Sequence, residues 1–191
     1  MAGERWAVVG LGNPGERYAG TRHNAGALAL EVLLERCGAR LRSHKSGCLI
    51  AEVRLGGRPA VLARPTSYMN DSGRPVRALA AFFKIAPERL IVLHDEIDLP
   101  FGVVRLKWSG GTAGHNGLRS LVSHLGTKDF VRVRIGVGRP QRDAVEHVLD
   151  AFSGAERKEL PAVLERAADA AERVIEVGIE RAMNELNTRP R

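Results

Sequence analysis

The chain of 191 residues has few cysteines and no long apolar run. Its two cysteines, Cys37 and Cys48, fit neither a disulfide framework nor the spacing of a metal finger, which indicates reduced thiols. No apolar run approaches the roughly 18 residues of a membrane-spanning helix, and the start of the chain lacks the character of a signal peptide. These absences predict a soluble, cytoplasmic protein that does not bind a membrane.

The sequence also lacks any repeat, linker or low-complexity tract that would divide it. With 44% hydrophobic residues, a chain of this length can form one sizeable core. Residues 1–191 are therefore expected to form a single domain.

Strand-like and helix-like segments alternate along this predicted domain. The pair Gly56-Gly57 between two of the strands is typical of a tight hairpin turn. The pattern predicts an α/β fold, in which a mixed, twisted β-sheet is flanked by helices and an active-site crevice lies at the carboxyl ends of the strands. The predicted strands are residues 5–11, 48–55, 58–63, 90–93, 103–108 and 131–137, and the predicted helices are about 22–37, one after Ser72, one ending at Leu125, and about 155–186.

A glycine-rich turn, GLGNPG at residues 10–15, follows the first predicted strand. It matches a dinucleotide-binding fingerprint, but Pro14 interrupts the helix start and no acidic residue ends a strand about 20 residues later. A nucleotide cofactor is therefore disfavoured. The same strand, turn and helix start bring Asn13 and His23 to the carboxyl end of the strand, where open α/β sheets bind ligands.

Positive charge is concentrated in one segment of the chain. Residues 101–142 contain eight Lys or Arg and a single acid, Asp129, so they carry the whole formal net charge of +7. A solvated basic face is one explanation, but such a concentration favours a phosphate-rich partner. In the strand at 131–137, apolar residues alternate with Arg132, Arg134 and Gly136, which predicts one core face and one basic or small face. The residues expected to contact nucleic-acid phosphates are Arg105, Lys107 and Arg134.

Polar side chains at strand and loop ends could form one site. The set includes a histidine, a carboxylate and three amides, without a serine or cysteine in a nucleophile-elbow setting, and this composition indicates water as the nucleophile. His23 would be the base and Asp95 would orient it. The helix dipole is expected to disfavour a charged His23, and Asp95 to favour it. The residues expected at the site are Asn13, His23, Asn70, Asp95 and Asn116.

An alternative is a metal-dependent hydrolase in which His94, Asp95, Glu96 and Asp98 bind the metal ion. Adjacent residues of a strand point to opposite faces, so these side chains cannot converge on one ion without help. No metal ligand is therefore assigned.

Several motifs, in order and spacing from about Trp6 to Gly138, resemble those of the bacterial peptidyl-tRNA hydrolases. Because the motifs are independent of one another, the probability that all of them match by chance is very small. They are Gly10-Leu11-Gly12-Asn13-Pro14-Gly15, Tyr18, Thr21-Arg22-His23-Asn24-Ala25-Gly26, Pro65-Thr66-Ser67-Tyr68-Met69-Asn70-Asp71-Ser72-Gly73, His94-Asp95-Glu96-Ile97-Asp98-Leu99-Pro100 and Gly114-His115-Asn116-Gly117.

The resemblance implies hydrolysis of the ester between a peptide and the 3′ ribose of a tRNA, by a monomer that needs no metal or organic cofactor. It implies that His23 is the general base, that Asp95 orients it, and that Asn13 distinguishes N-blocked peptidyl groups from free aminoacyl groups. The peptidyl-tRNA would bind through the basic segment 101–142. The positions implied to bind substrate are Tyr18, Tyr68, Met69, Asn70, His115 and Asn116.

A non-catalytic RNA-binding protein of the same fold is the alternative from another class, since plant organelle splicing factors resemble this family. The joint presence of Asn13, His23, Asp95 and Asn116 favours the enzyme.

Overall fold

The computed structural model describes residues 4–188. Within this range, seven strands form one sheet. They are β1 (Trp6–Gly10), β2 (Arg42–Ser43), β3 (Cys48–Leu55), β4 (Arg58–Pro65), β5 (Leu90–Glu96), β6 (Val104–Trp108) and β7 (Val131–Gly136). The α-helices in the same range are α1 (Glu16–Ala19), α2 (Ala25–Cys37), α3 (Gly73–Phe83), α4 (Asn116–Leu125), α5 (Ala144–Leu149), α6 (Gly154–Val177) and α7 (Ile179–Asn187).

The sheet is mixed, as the sequence predicts. Its strand order is β2-β3-β4-β1-β5-β7-β6. Strand β1 pairs in parallel with β4 and β5, and β5 pairs in parallel with β7, whereas β3 and β6 run antiparallel to their neighbours. The carboxyl ends of β1, β4, β5 and β7 therefore lie at one edge, called the upper edge below, and the residues that follow these strands meet there.

Close backbone contacts hold the start of α2 against the upper edge. The N–H of Ala27 in α2 donates to the carbonyl of Leu11, the residue after β1, at 3.0 Å. A Cβ added at Gly26 would lie 2.0 Å from the carbonyl oxygen of Leu93, so a glycine is required for this approach. His23 lies just before α2, in a 3₁₀ turn at Arg22–Asn24 rather than in the first turn of an α-helix as the sequence predicts.

Helices cover both faces of the sheet. On one face, residues such as Leu30 of α2 and Val174 of α6 pack in a buried apolar cluster. On the other face, Leu79 of α3 and Leu121 of α4 belong to a second cluster. Both faces are thus largely filled by apolar side chains, which leaves the upper edge as the place where polar groups can gather.

The carboxyl-terminal region differs from the predicted single helix at 155–186. Helices α6 and α7 are separated at Gly178, which has a positive φ of 86° and donates its N–H to the carbonyl of Val174 at 2.8 Å. Among residues 4–188, no helix has the length and apolar character needed to cross a membrane.

The sequence predicts that Arg132 lies on a basic face of β7, but in the structure this residue is buried. Its side chain is only 1% exposed. The carbonyls of Gly110 and Gly111 accept hydrogen bonds from its guanidinium, so a loop covers it. The alternation in the strand is correct, but the polar face is not open to solvent at this position.

Candidate active site

A crevice of about 480 Å³ opens at the upper edge of the sheet. Nine of the predicted site residues line it, namely Asn13, Tyr18, His23, Tyr68, Met69, Asn70, Asp95, His115 and Asn116. Helix α5, which the sequence does not predict, contributes Ala144, Val145, Val148 and Leu149. The crevice therefore combines polar groups from the strand ends with a largely apolar wall from α5.

His23 and Asp95 are joined by a hydrogen bond of 2.8 Å between Nδ1 and Oδ2. His23 is 8% exposed and Asp95 is 2% exposed. Because a carboxylate can only accept, Nδ1 of His23 carries the proton and Nε2 keeps a lone pair. Burial by itself lowers the pKa of His23, but the charge and hydrogen bond of Asp95 outweigh burial and raise this pKa above its ordinary value. The neutral ring is thus held in the tautomer that can accept a proton at Nε2.

Asp95 accepts a second hydrogen bond, from Nε2 of His115 to Oδ1 at 2.8 Å. Nδ1 of His115 accepts from the backbone N–H of Leu118 at 3.2 Å, which places the proton of His115 on Nε2. Burial alone would raise the pKa of Asp95, yet the two histidines lower it well below its usual range. Asp95 is therefore a carboxylate shared by two histidines.

The link between Asp95 and His115 is the feature of the site that the sequence analysis missed. The resemblance suggested His115 as a substrate contact, and its position at the crevice agrees with that suggestion. The hydrogen bond to Asp95 depends on how the glycine-rich loop before His115 folds. Two features of the sequence together could have indicated this hydrogen bond: a histidine at the N-cap of α4 and a carboxylate at the end of a strand.

Asn13 is held in a defined orientation by its neighbours. Its Oδ1 accepts from the backbone N–H of Met69 at 2.7 Å. Its own backbone N–H and carbonyl bond to the side-chain amide of Asn24, each at 2.9 Å. Among the described residues, its Nδ2 has no hydrogen-bond partner. The NH₂ group is therefore the part of the amide that is free to donate to a ligand in the crevice.

The rim of the crevice carries aromatic and amide side chains. Tyr68 is 59% exposed, and its ring packs edge-on against Tyr18 with the centroids 6.2 Å apart. Asn70 and Asn116 are exposed, whereas Met69 is buried beneath them. A ligand that enters the crevice would pass these rings and amides before it reaches His23.

Three crevice residues could also hold a metal ion. The donor atoms of His23, Asp95 and His115 lie within 4.8 Å of one another. Nδ1 of His23 and Nε2 of His115 already donate hydrogen bonds to the carboxylate of Asp95, so an ion would have to displace two protons. The observed hydrogen bonds favour proton transfer as the role of this cluster.

The other candidate metal residues do not converge. Nδ1 of His94 donates to the carbonyl of Asp95 at 2.8 Å, and Glu96 accepts from Arg134 at 3.0 Å. Asp98 pairs with an arginine of the loop that follows β7. Their carboxylates are thus engaged with cations of the protein itself.

The predicted phosphate contacts lie outside the crevice, on β6 and β7. The strand register places Arg105 opposite Arg134 and Lys107 opposite Arg132, so the four cations share one face of the sheet. Arg134 of this group forms an ion pair with Glu96 at 3.0 Å. Like charges directly opposite each other are destabilising. A loop covers Arg132, and Glu96 pairs with Arg134, whereas Arg105 and Lys107 form no ion pair among the described residues.

Comparison with known proteins agrees with the geometry. The model of a family described as peptidyl-tRNA hydrolase matches residues 7–191. Proteins named peptidyl-tRNA hydrolase from Frankia alni and Nocardia farcinica are 57% and 56% identical to the chain, cover 94% of it, and are themselves covered to 92% and 95%. A crystal structure of peptidyl-tRNA hydrolase from Acinetobacter baumannii matches with a TM-score of 0.90 at 37% identity, over 97% of this chain and 95% of that chain. The chain therefore belongs to the peptidyl-tRNA hydrolase family.

Proposed function

We propose that this enzyme hydrolyses the ester between the peptide and the 3′ ribose of peptidyl-tRNA, with a water molecule activated by His23. The observation that carries the proposal is the 2.8 Å hydrogen bond from Nδ1 of His23 to Asp95 inside the crevice. This bond leaves the lone pair of Nε2 for a water molecule.

In the proposed reaction, Nε2 of His23 takes a proton as the water oxygen attacks the ester carbonyl. The imidazolium that forms is stabilised by Asp95, and it then gives its proton to the departing 3′ oxygen. An ester is already an activated acyl group, so a histidine base is sufficient and no metal or organic cofactor takes part in the scheme. The side-chain amides of Asn70 and Asn116 and the loop N–H groups near Gly114 are the candidate donors to the tetrahedral oxyanion.

Asn13 is proposed to select N-blocked substrates. Its oxygen is bonded to the N–H of Met69, so its NH₂ group is the part available to substrate. A peptidyl group presents a carbonyl oxygen that can accept from this NH₂, whereas a free aminoacyl group presents a charged ammonium, which is also a donor. A donor facing a donor disfavours the aminoacyl form, and this protects aminoacyl-tRNA from hydrolysis.

The tRNA is proposed to bind through the basic segment 101–142, with Arg105, Lys107 and Arg134 at its phosphates. Their shared face on β6 and β7 supports this role, since several cations in one place can each meet a phosphate. Tyr18, Tyr68 and the exposed amides would then contact the tRNA end or the peptide. We also propose a cytoplasmic monomer, because a single chain supplies the whole crevice and the substrate arises in translation.

The test is cleavage of N-acetyl-aminoacyl-tRNA by the purified protein, with and without EDTA. Cleavage that is insensitive to EDTA and nearly abolished in His23→Ala, with tRNA binding retained, is the expected result. Binding without cleavage by the unmodified chain would favour the non-catalytic RNA-binding alternative. Loss of cleavage in EDTA, with recovery on addition of Zn²⁺, would instead favour a metal at His23, Asp95 and His115.

A further inference from the structure

Arg132 is a buried cation that joins two loops near the crevice. Its Nη2 donates to the carbonyl of Gly110 at 2.8 Å and to that of Lys128 at 3.2 Å, and its Nη1 donates to the carbonyl of Gly111. The guanidinium also lies over the ring of Phe130, 4.6 Å from the ring centroid. A planar group with several donors is suited to hold several carbonyls at once.

One of the two loops, residues 109–114, leads directly to the crevice. Two of its residues that are not glycine, Ser109 and Ala113, have positive φ of 61° and 49°, a conformation that is unfavourable for them. The surrounding contacts must therefore hold the loop, and Arg132 binds two successive carbonyls at its centre. The loop ends at His115, which donates to the carboxylate at the floor of the crevice at 2.8 Å.

We propose that Arg132 is a positioning residue for the hydrolysis. It holds loop 109–114 so that His115 and Asn116 keep their places at the crevice, and it does not contact the tRNA. An arginine that binds a phosphate has to be exposed, and Arg132 is only 1% exposed. This inference rests on the proposed function. It gives Arg132 a role different from that of Arg134, two residues later in β7.

The test is the kinetics of Arg132→Met on two substrates, N-acetyl-aminoacyl-tRNA and an N-acetyl-aminoacyl ester of adenosine that lacks the acceptor stem. We expect kcat to fall by about 10- to 100-fold, because a small misplacement of catalytic groups has effects of this size. KM for the tRNA substrate should stay within about twofold of the unmodified value. The loss should be equal on the two substrates, since the loop acts at the ester and not at the tRNA body.

Three variants serve as comparisons. Arg132→Lys should recover part of the lost kcat, because an ammonium can still meet one carbonyl. Arg134→Met should raise KM for the tRNA substrate, in contrast to Arg132→Met. Arg166→Met removes an arginine that likewise donates to a glycine carbonyl, that of Gly102 at 2.6 Å, but does not line the crevice, so kcat should be unchanged.

A kcat close to the unmodified value in Arg132→Met, with or without a rise in KM, would overturn the proposal. If this variant does not fold, Gly110→Ala decides the question while Arg132 stays in place. A Cβ at Gly110 would lie 2.5 Å from Cε of Lys107, and the φ of 102° is unfavourable for alanine, so the substitution shifts an anchored carbonyl. A lower kcat on the short ester supports the proposal, and an unchanged kcat contradicts it. Failure of the proposed function would be seen separately, as no cleavage by the unmodified chain.

Discussion

The two hydrogen bonds of Asp95 make Asp95→Asn a sharp test of the proposed mechanism. Asparagine keeps the shape of the side chain but replaces one acceptor oxygen by an NH₂ donor. Both histidine nitrogens that face this residue are donors, so one histidine must move its proton. His115 is prevented from doing so because its Nδ1 accepts from the N–H of Leu118. His23 therefore takes the tautomer with the proton on Nε2 and can no longer accept a proton from water.

We expect kcat of Asp95→Asn to fall by about 10³- to 10⁴-fold, the size of effect known for a histidine base held in the wrong tautomer. At about 1.4 kcal/mol for each factor of ten, this loss is about 4 to 5.5 kcal/mol of activation free energy. KM for the tRNA substrate should change little, because the basic residues that bind the tRNA are not altered. The measurement is steady-state cleavage of N-acetyl-aminoacyl-tRNA, with thermal unfolding to confirm that the variant is folded.

The double variant Asp95→Asn with His115→Ala provides the matched control. Without His115, the amide oxygen can turn toward Nδ1 of His23 and restore the productive tautomer. Its kcat should exceed that of Asp95→Asn by at least about tenfold, a coupling that independent sites would not show. The tautomer argument is refuted if Asp95→Asn keeps a kcat within about tenfold of the unmodified enzyme, or if the double variant gains nothing over it.

Four further predictions follow from the site and its surroundings. Because Asp95 raises the pKa of His23 and the base must be neutral, kcat/KM should decline as the pH falls through a value above the ordinary 6.5, which a pH–rate profile would show. Asn13→Ala should narrow the ratio of rates on blocked and unblocked aminoacyl-tRNA, and an unchanged ratio would place selectivity elsewhere. Arg134→Gln should flatten the dependence of log K on log salt by somewhat under one unit, whereas Arg157→Gln, in α6, should not. Burial lowers the pKa of His94 to about 3 in the folded chain. Between this value and the ordinary pKa of about 6.5, the unfolded chain binds a proton that the folded chain does not. The free energy of unfolding should therefore fall by up to about 1.4 kcal/mol for each pH unit below 6.5. Urea unfolding at pH 7.5 and 5.5 should show a smaller loss for His94→Phe.

The position of the crevice could be predicted from the sequence because it depends on local patterns. Short apolar runs mark β1 and β5, and polar residues such as Asn13 and Asp95 come where each run ends. Parallel strands bring their carboxyl ends to one edge, so such residues meet whatever the details of the loops. The hairpin at Gly56-Gly57 is local in the same sense, since it joins β3 and β4 as predicted.

The hydrogen bonds within the crevice could not be predicted in this way. The 2.8 Å bond between Asp95 and His115 depends on a loop with several positive φ angles, whose path is set by Arg132 from another strand. Helix α5 has only six residues, too few for a periodic pattern to indicate a helix, so its place as a wall of the crevice follows from tertiary packing. The break at Gly178 likewise interrupts a composition that favours helix on both sides.

The sequence by itself determined the family motifs, the alternation of strands and helices, and the concentration of positive charge in residues 101–142, because each of these is a property of neighbouring residues. Only the tertiary structure decided what each charged group does. Arg132 became a buried anchor for a loop, Arg134 became a partner of Glu96, and Asp95 became a carboxylate shared by two histidines. The physical reason is that burial and hydrogen-bond partners come from residues far apart in the chain, and these determine which groups are exposed, which are charged, and which can accept a proton.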